Sequence, residues 1–174
     1  MLLPGIDTVG QRFVADRYCH HYLIGSGAAH PRLFPGVQET LRSLYDDGYL
    51  LAVATGKSRR GLERSLRDTG LLGVFHASRC ADETCSKPDP QMLSEILEEL
   101  QIPVEQSVMV GDTEFDMEMA QRATMDRVAV TYGAHDVEDL RRWEPCAYLN
   151  NFSELGAWLA LCDQSFIPRS VPCL

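Results

Sequence analysis

The sequence predicts an α/β fold, with a parallel sheet covered by helices on both faces. Three observations predict it. Short apolar runs such as Leu50-Leu51-Ala52-Val53-Ala54 and Val108-Met109-Val110 have the composition of strands buried on both sides. Segments with apolar residues at helical spacing separate these runs one by one, the alternation expected of crossover-connected parallel strands. Glycines such as Gly48 and Gly70 fall just beyond helical segments, where chains commonly leave a helix.

Taken in order, residues 7–23 read as an amphipathic helix. Val9, Phe13, Val14, Tyr18 and Tyr22 recur at roughly helical intervals, and Asp7-Thr8 supplies a cap. The small-residue stretch Gly25-Ser26-Gly27-Ala28-Ala29, then Pro31 and Phe34-Pro35-Gly36, separates this element from the rest. Beyond it the spacing predicts helices over 37–47, 58–68, 89–100, 113–122 and 153–161. Strands are predicted over 49–54, 74–77, 107–110, 128–132 and 147–149. Pro90 suits the first turn of one helix and Ser153 the cap of the last. The segment 163–174 has two prolines and no periodicity and reads as a loosely attached tail.

Composition narrows the function. A chain of 174 residues, 45% of them apolar, suits one domain with a small appendage. The net charge of −9 disfavours nucleic acid and anionic membranes as partners. It also repels phosphorylated ligands at long range, so any phosphate must be met by local cations. No apolar run reaches the roughly 18 residues of a membrane span, and the first residues lack the pattern of a secretory signal. The expected setting is cytoplasmic. Cys19, Cys80, Cys85, Cys146, Cys162 and Cys173 form no CxxC pair. A loop disulfide between Cys80 and Cys85 is open to the spacing, but scattered thiols in a reducing compartment are the expectation. His20-His21 is expected on the surface.

In such sheets ligands bind beyond the carboxyl ends of the strands, and three loops there carry chemistry. Thr55-Gly56-Lys57-Ser58 offers a hydroxyl, exposed backbone N–H groups and a helix start, a combination suited to an oxyanion. It lacks the upstream glycine of a P-loop, and alone it equally reads as an ordinary strand-to-helix turn. Ser86-Lys87-Pro88-Asp89-Pro90 fixes one lysine between two prolines. Alone that is equally a solvated lysine in a stiff turn. Gly111-Asp112-Thr113-Glu114-Phe115-Asp116 places two carboxylates four residues apart at a strand end, where a hard divalent cation would relieve their repulsion. The plainer alternative is that Asp112 caps the helix and Asp116 is solvated.

Together, in this order and at these strand ends, the three loops resemble motifs II, III and IV of the haloacid dehalogenase (HAD) superfamily. Within its helical-cap subfamily the sequence looks most like phosphoglycolate-phosphatase-type hydrolases. The resemblance implies a magnesium-dependent phosphatase of a small phosphorylated metabolite, on a Rossmann-like HAD core over 34–162 with a remnant of the helical cap over 1–33. It implies that Thr55, with the Gly56 amide, binds the phosphoryl group and that Lys87 neutralises charge. Asp112 would hold Mg²⁺ directly, and Asp116 directly or through water. Lys57 and Arg59 would face the same loop and could touch substrate. Phosphoglycolate, a sugar phosphate, a nucleotide and pyrophosphate all stay open as substrates, and so does the oligomeric state.

One part of the pattern is missing. The family's first motif, D-x-D-G-T, supplies the nucleophile and the acid–base group, and no D-x-D occurs in this sequence. In the family's strand order, 3-2-1-4-5, the missing strand is central. The strands at 49–54 and 107–110 are therefore expected to lack their shared partner, with a gap of about 9–10 Å and an exposed apolar seam. Three readings follow: a truncated and inactive form of a cap-bearing phosphatase, a noncatalytic HAD-like relative, or a response-regulator-like α/β module whose carboxylates merely hold a metal.

Overall fold

A computed structural model describes residues 33–165. The chain order is α1 (Val37–Asp46), β1 (Ala52–Thr55), α2 (Arg59–Asp68), β2 (Ala77–Cys80), α3 (Gln91–Leu100) and a 3₁₀ turn at Val104–Gln106. Then come β3 (Val108–Gly111), α4 (Glu114–Arg122), β4 (Asp126–Val130), α5 (Val137–Arg141), β5 (Ala147–Leu149) and α6 (Glu154–Ser165). All strand pairs are parallel, so the α/β class with helix-covered parallel strands is as the sequence predicts. The helix expected over 7–23 and the cap remnant, all but its last residue, lie outside the described residues, as does the tail beyond residue 165.

The strands form two sheets rather than one: a pair, β1-β2, and a trio, β3-β4-β5. Among the described residues no strand joins β1 to β3. The two sheets nevertheless share their packing on both faces. On one face, Leu51 just ahead of β1 and Val108 and Val110 of β3 pack on Leu44 of α1, Val128 of β4 and Leu155 of α6. On the other, Ala54 of β1 and Met109 of β3 pack on Met92 and Leu93 of α3 and Met119 of α4. The alternation Val108, Met109, Val110 thus serves both faces, as a two-sided strand requires. Yet none of the four residues of β3 is fully buried, whereas Val128, Ala129 and Val130 of β4 are. Among the described residues β4 has a neighbour on each edge and β3 on one.

Several element boundaries depart from the sequence reading for local reasons. The second strand is Ala77–Cys80, not 74–77. Val74 instead closes a turn onto Leu71 beside Gly73, whose φ is +83°. The true strand is polar at its centre, because Arg79 turns out to meet Glu95 and Glu99 of α3, each at 2.7 Å. β1 starts at Ala52 rather than 49, because His76 occupies the preceding step: its N–H donates to the Leu51 carbonyl and its Nδ1 accepts the Leu51 N–H. β4 begins two residues early, at Asp126, through backbone pairing with Val108 that ignores side-chain polarity. α6 runs on to Ser165, and α5, anchored by fully buried Leu140, is too short to show a period. Gly48 (φ +88°) and Gly70 (φ +69°) do leave α1 and α2 in the left-handed region.

Cys80 and Cys85 are both free thiols in this structure. Cys80 is wholly buried, and burial pushes its thiol above the ordinary range, while Cys85 and Cys146 are exposed. Thiolate is the reactive form. Brief treatment of the native chain with a thiol reagent, read by peptide mass spectrometry, should therefore modify Cys85 and Cys146 and spare Cys80 until denaturant is added. Early labelling of Cys80 would contradict this packing.

Candidate functional site

The site is built at the carboxyl ends of β1 and β3. Thr55 is the last residue of β1, and its hydroxyl accepts the Lys57 N–H at 3.1 Å, closing a tight turn into α2. Among the described residues the Thr55 O–H finds no acceptor, which leaves its proton for a ligand. Among the described residues a Cβ at Gly56 would meet nothing within 4 Å, so the turn is open above the backbone. Lys57 is exposed on the same turn. Ser58 caps α2 by accepting the Gly61 N–H at 3.3 Å.

Arg59 departs from its expected role. Its guanidinium forks onto Glu83 with two bonds of 2.7 Å and also donates to Ser78, at Oγ and at the carbonyl. Its backbone N–H bonds Asp82 at 2.9 Å. The pairing holds the Glu83 carboxyl below its usual range and raises Arg59 further above its own. Arg59 is a strut between the β1 and β2 loops, with each guanidinium nitrogen bonded to a protein group.

Lys87 lies in its proline-flanked turn, where the Lys87–Pro88 peptide is cis. Its Nζ is 2.5 Å from Oδ1 of Asp116, with side-chain exposures of 19% and 4%. The other oxygen of Asp116, Oδ2, accepts from the N–H groups of Asp112 (3.2 Å) and Thr113 (3.0 Å) and from the Thr113 hydroxyl (2.8 Å). Thr113 in turn caps α4, forming a reciprocal capping box with Asp116. Gly111 makes room for this arrangement, since a Cβ there would lie 2.3 Å from Cβ of Asp116.

Asp112 is held from the other side. Its Oδ2 accepts the Ala134 N–H at 2.9 Å, and its carbonyl accepts the His135 N–H at 3.2 Å. Its Oδ1 takes no hydrogen bond among the described residues. The neighbouring Tyr132 phenol is pushed up by burial and, secondarily, by the carboxylates of Glu154 and Asp112. An open depression of about 450 Å³ adjoins this loop, lined by Glu114, Ala134, His135, Asp136, Asp139 and Arg142.

The structure therefore joins Lys87, Asp112 and Asp116 into one hydrogen-bonded cluster. Thr55 and Gly56 share no hydrogen bond with it among the described residues. It also separates the two members of the expected metal pair by their partners. Helical spacing suggested that Asp112 and Asp116 converge, but Asp112 precedes the cap residue Thr113 and is not on the helix. Both oxygens of Asp116 accept from protein donors, Oδ1 from the Lys87 ammonium and Oδ2 from three groups, which favours contact with a cation through water over a direct bond. Asp112, with one oxygen tethered and the other open, fits a single-carboxylate magnesium anchor of the kind completed by water and substrate oxygens. No cluster of three His, Cys, Asp or Glu occurs among the described residues. The loop Tyr132-Gly133-Ala134-His135 was absent from the sequence reading, although it directly follows an apolar run and the strand-end rule would have found it.

Known proteins agree with this architecture. The profile of the haloacid dehalogenase-like hydrolases matches residues 8–130. The chain is 38% identical over 140 residues to the probable phosphatase IndB of Dickeya dadantii, covering 79% of this chain and 61% of that protein. It is 33% identical over 124 residues to a phosphoglycolate phosphatase of Colwellia psychrerythraea, covering 71% and 55% respectively. The chain thus spans less than two thirds of the length of these relatives. Among solved structures, a predicted phosphoglycolate phosphatase from Haemophilus somnus superposes with a TM-score of 0.76 at 23% identity, covering 88% of this chain and 68% of that one. A haloacid dehalogenase-like hydrolase from Streptococcus pneumoniae gives 0.75 at 21%, covering 89% and 72%. The profile match takes in the Thr55, Lys87 and Asp112 loops described above, and the chain belongs to the haloacid dehalogenase-like hydrolase family.

Proposed function

We propose that this chain carries the phosphate-binding and cation-binding part of a phosphomonoester hydrolase site, for a small phosphorylated metabolite of the phosphoglycolate type. The observation that carries the reading is the Lys87 ammonium fixed on buried Asp116, which also accepts the N–H of Asp112, whose Oδ1 takes no hydrogen bond among the described residues. A held cation and an available carboxylate together suit a phosphoryl group and its counter-ion. In this reading the Thr55 hydroxyl and the Gly56 N–H donate to phosphoryl oxygens, with Lys57 nearby on the same turn. Lys87 offsets the charge that builds on those oxygens, and Asp116 keeps its Nζ in place. Magnesium, anchored by Asp112, would supply further charge neutralisation when bound. The phosphatase names of the relatives support the substrate class. The net charge and the lack, among the described residues, of a helix long and apolar enough to cross a membrane accord with a cytoplasmic setting.

None of these groups is an in-line nucleophile with an acid–base partner, and the sequence holds no D-x-D. The chain is accordingly proposed to bind phosphate without turning it over at an enzyme's rate, as a truncated form. A second reading, a noncatalytic HAD-like or response-regulator-like metal-binding module, draws on the same missing nucleophile together with the absence, among the described residues, of a strand between β1 and β3. Calorimetric titration with Mg²⁺ tests the cation half of the proposal. Asp112→Asn should bind about tenfold more weakly than the parent. Equal affinity would remove Asp112 from the site.

A further inference from the structure

The turn after β4 holds a glycine whose backbone does not explain it. Gly36, Gly48, Gly70 and Gly73 all have positive φ, where a side chain is strained. Gly133 is not in that region. What distinguishes it is space: a Cβ at 133 would lie 2.1 Å from Cβ of Asp112, 2.6 Å from its Oδ2 and 2.8 Å from its Cγ. Asp112 cannot relieve such a clash by rotating about χ1, because its Cβ is itself the nearest atom. Any side chain at 133 must push the loop away from Asp112, and the two neighbouring contacts go with it. Those are the Ala134 N–H on Oδ2 and the His135 N–H on the Asp112 carbonyl.

We propose that Gly133, with the Ala134 N–H it brings into reach, is a positioning device for Asp112. The N–H ties up Oδ2 and so selects Oδ1 as the oxygen that meets a divalent cation. His135 contributes twice: its own N–H grips the Asp112 backbone, and its Nδ1 accepts the Glu114 N–H at 3.3 Å, joining the turn to the start of α4. A neighbour that orients a metal carboxylate commonly matters 10–100-fold, roughly, for metal affinity. The inference rests on the reading of Asp112 as the cation anchor.

The test uses Mn²⁺ as a paramagnetic probe on the full ¹⁵N-labelled chain. In the parent, the amides of Gly111, Asp112 and Ala134 should broaden first as Mn²⁺ is added. In Gly133→Ala, the same broadening should need about tenfold more Mn²⁺, while amide shifts in α1 and β5 keep their parent values. A loop that merely packs would alter stability but leave the Mn²⁺ dependence of the folded chain unchanged. If Asp112→Asn loses the broadening and folded Gly133→Ala keeps it, the positioning role is wrong. If Asp112→Asn broadens like the parent, the anchor reading fails and the inference falls with it. Should Gly133→Ala not fold, replacing Ala134 by the corresponding α-hydroxy acid removes only the N–H. That chain should show the same weakening, and parent-like broadening would overturn the proposal.

Discussion

Given p-nitrophenyl phosphate and Mg²⁺, this chain should show turnover roughly 10⁴–10⁶ below that of a version carrying an upstream D-x-D-G-T strand. The expected deficit is large because a missing nucleophile differs in kind from a weakened contact. Thr55, Lys87 and Asp112 can hold and polarise a phosphate, but the attacking atom and its proton carrier are not among them. Bound water would have to attack without a base to activate it. An appended segment that fills the seam and restores turnover, with Lys87→Ala abolishing it again, would establish the chain as the remaining part of a hydrolase site. Ordinary enzyme rates from the chain alone would refute the claim, and Asp7 would then be the first carboxylate to replace.

The second large effect concerns stability. Asp116→Ala should cost about 3–5 kcal/mol, because it leaves an ammonium at 19% side-chain exposure without its counter-charge and removes the acceptor for three further donors. The loss should appear in urea titrations as a lower midpoint with an unchanged slope. Asp116→Asn keeps the shape and part of the bonding and should fall between the parent and the alanine variant. A cost for Asp116→Ala under about 1 kcal/mol, the range of exposed ion pairs, would show that the Lys87–Asp116 bond is solvated and incidental.

Much of this fold can be read from the sequence, and the failures have a common source. β3 and the body of α3 are legible because their apolar residues fall at the spacing of the element, with Met92, Leu93 and Ile96 buried on one face of α3, although that helix starts at Gln91 with Pro90 as its cap residue rather than at 89. β2 is not, because Ala77-Ser78-Arg79-Cys80 turns its polar centre toward the carboxylates of α3. β1 is misjudged at its start because the His76 ring takes a place that only a backbone partner was expected to fill. At the site, residue type and strand-end position identify Lys87, Asp112 and Asp116 as neighbours. Their roles depend on who bonds whom, which spacing does not encode. Helical periodicity paired the two carboxylates, whereas the cap at Thr113 turned one toward Lys87 and left the other to the turn after β4. Gly133 escaped notice because its reason is a contact across chain neighbours 21 residues apart.

The interrupted sheet has a consequence for alignment. In an unbroken parallel sheet, hydrogen-bond registry fixes how far one strand end projects beyond the next. Among the described residues the end of β1, with Thr55 and Gly56, is tied to the end of β3, with Asp112, through side-chain packing such as Ala54 and Met109 on Met92 rather than through a ladder. Methionine is the most deformable of apolar side chains, so that coupling permits sliding where a ladder would forbid it. Catalysis of phosphoryl transfer depends on donors and cations held in place before the reaction begins, and misplacement by about 1 Å can cost around 100-fold. A strand restored between β1 and β3 would therefore do more than deliver a nucleophile. It would set the two halves of the site at a common height, a geometric calibration that no single residue on either half can provide.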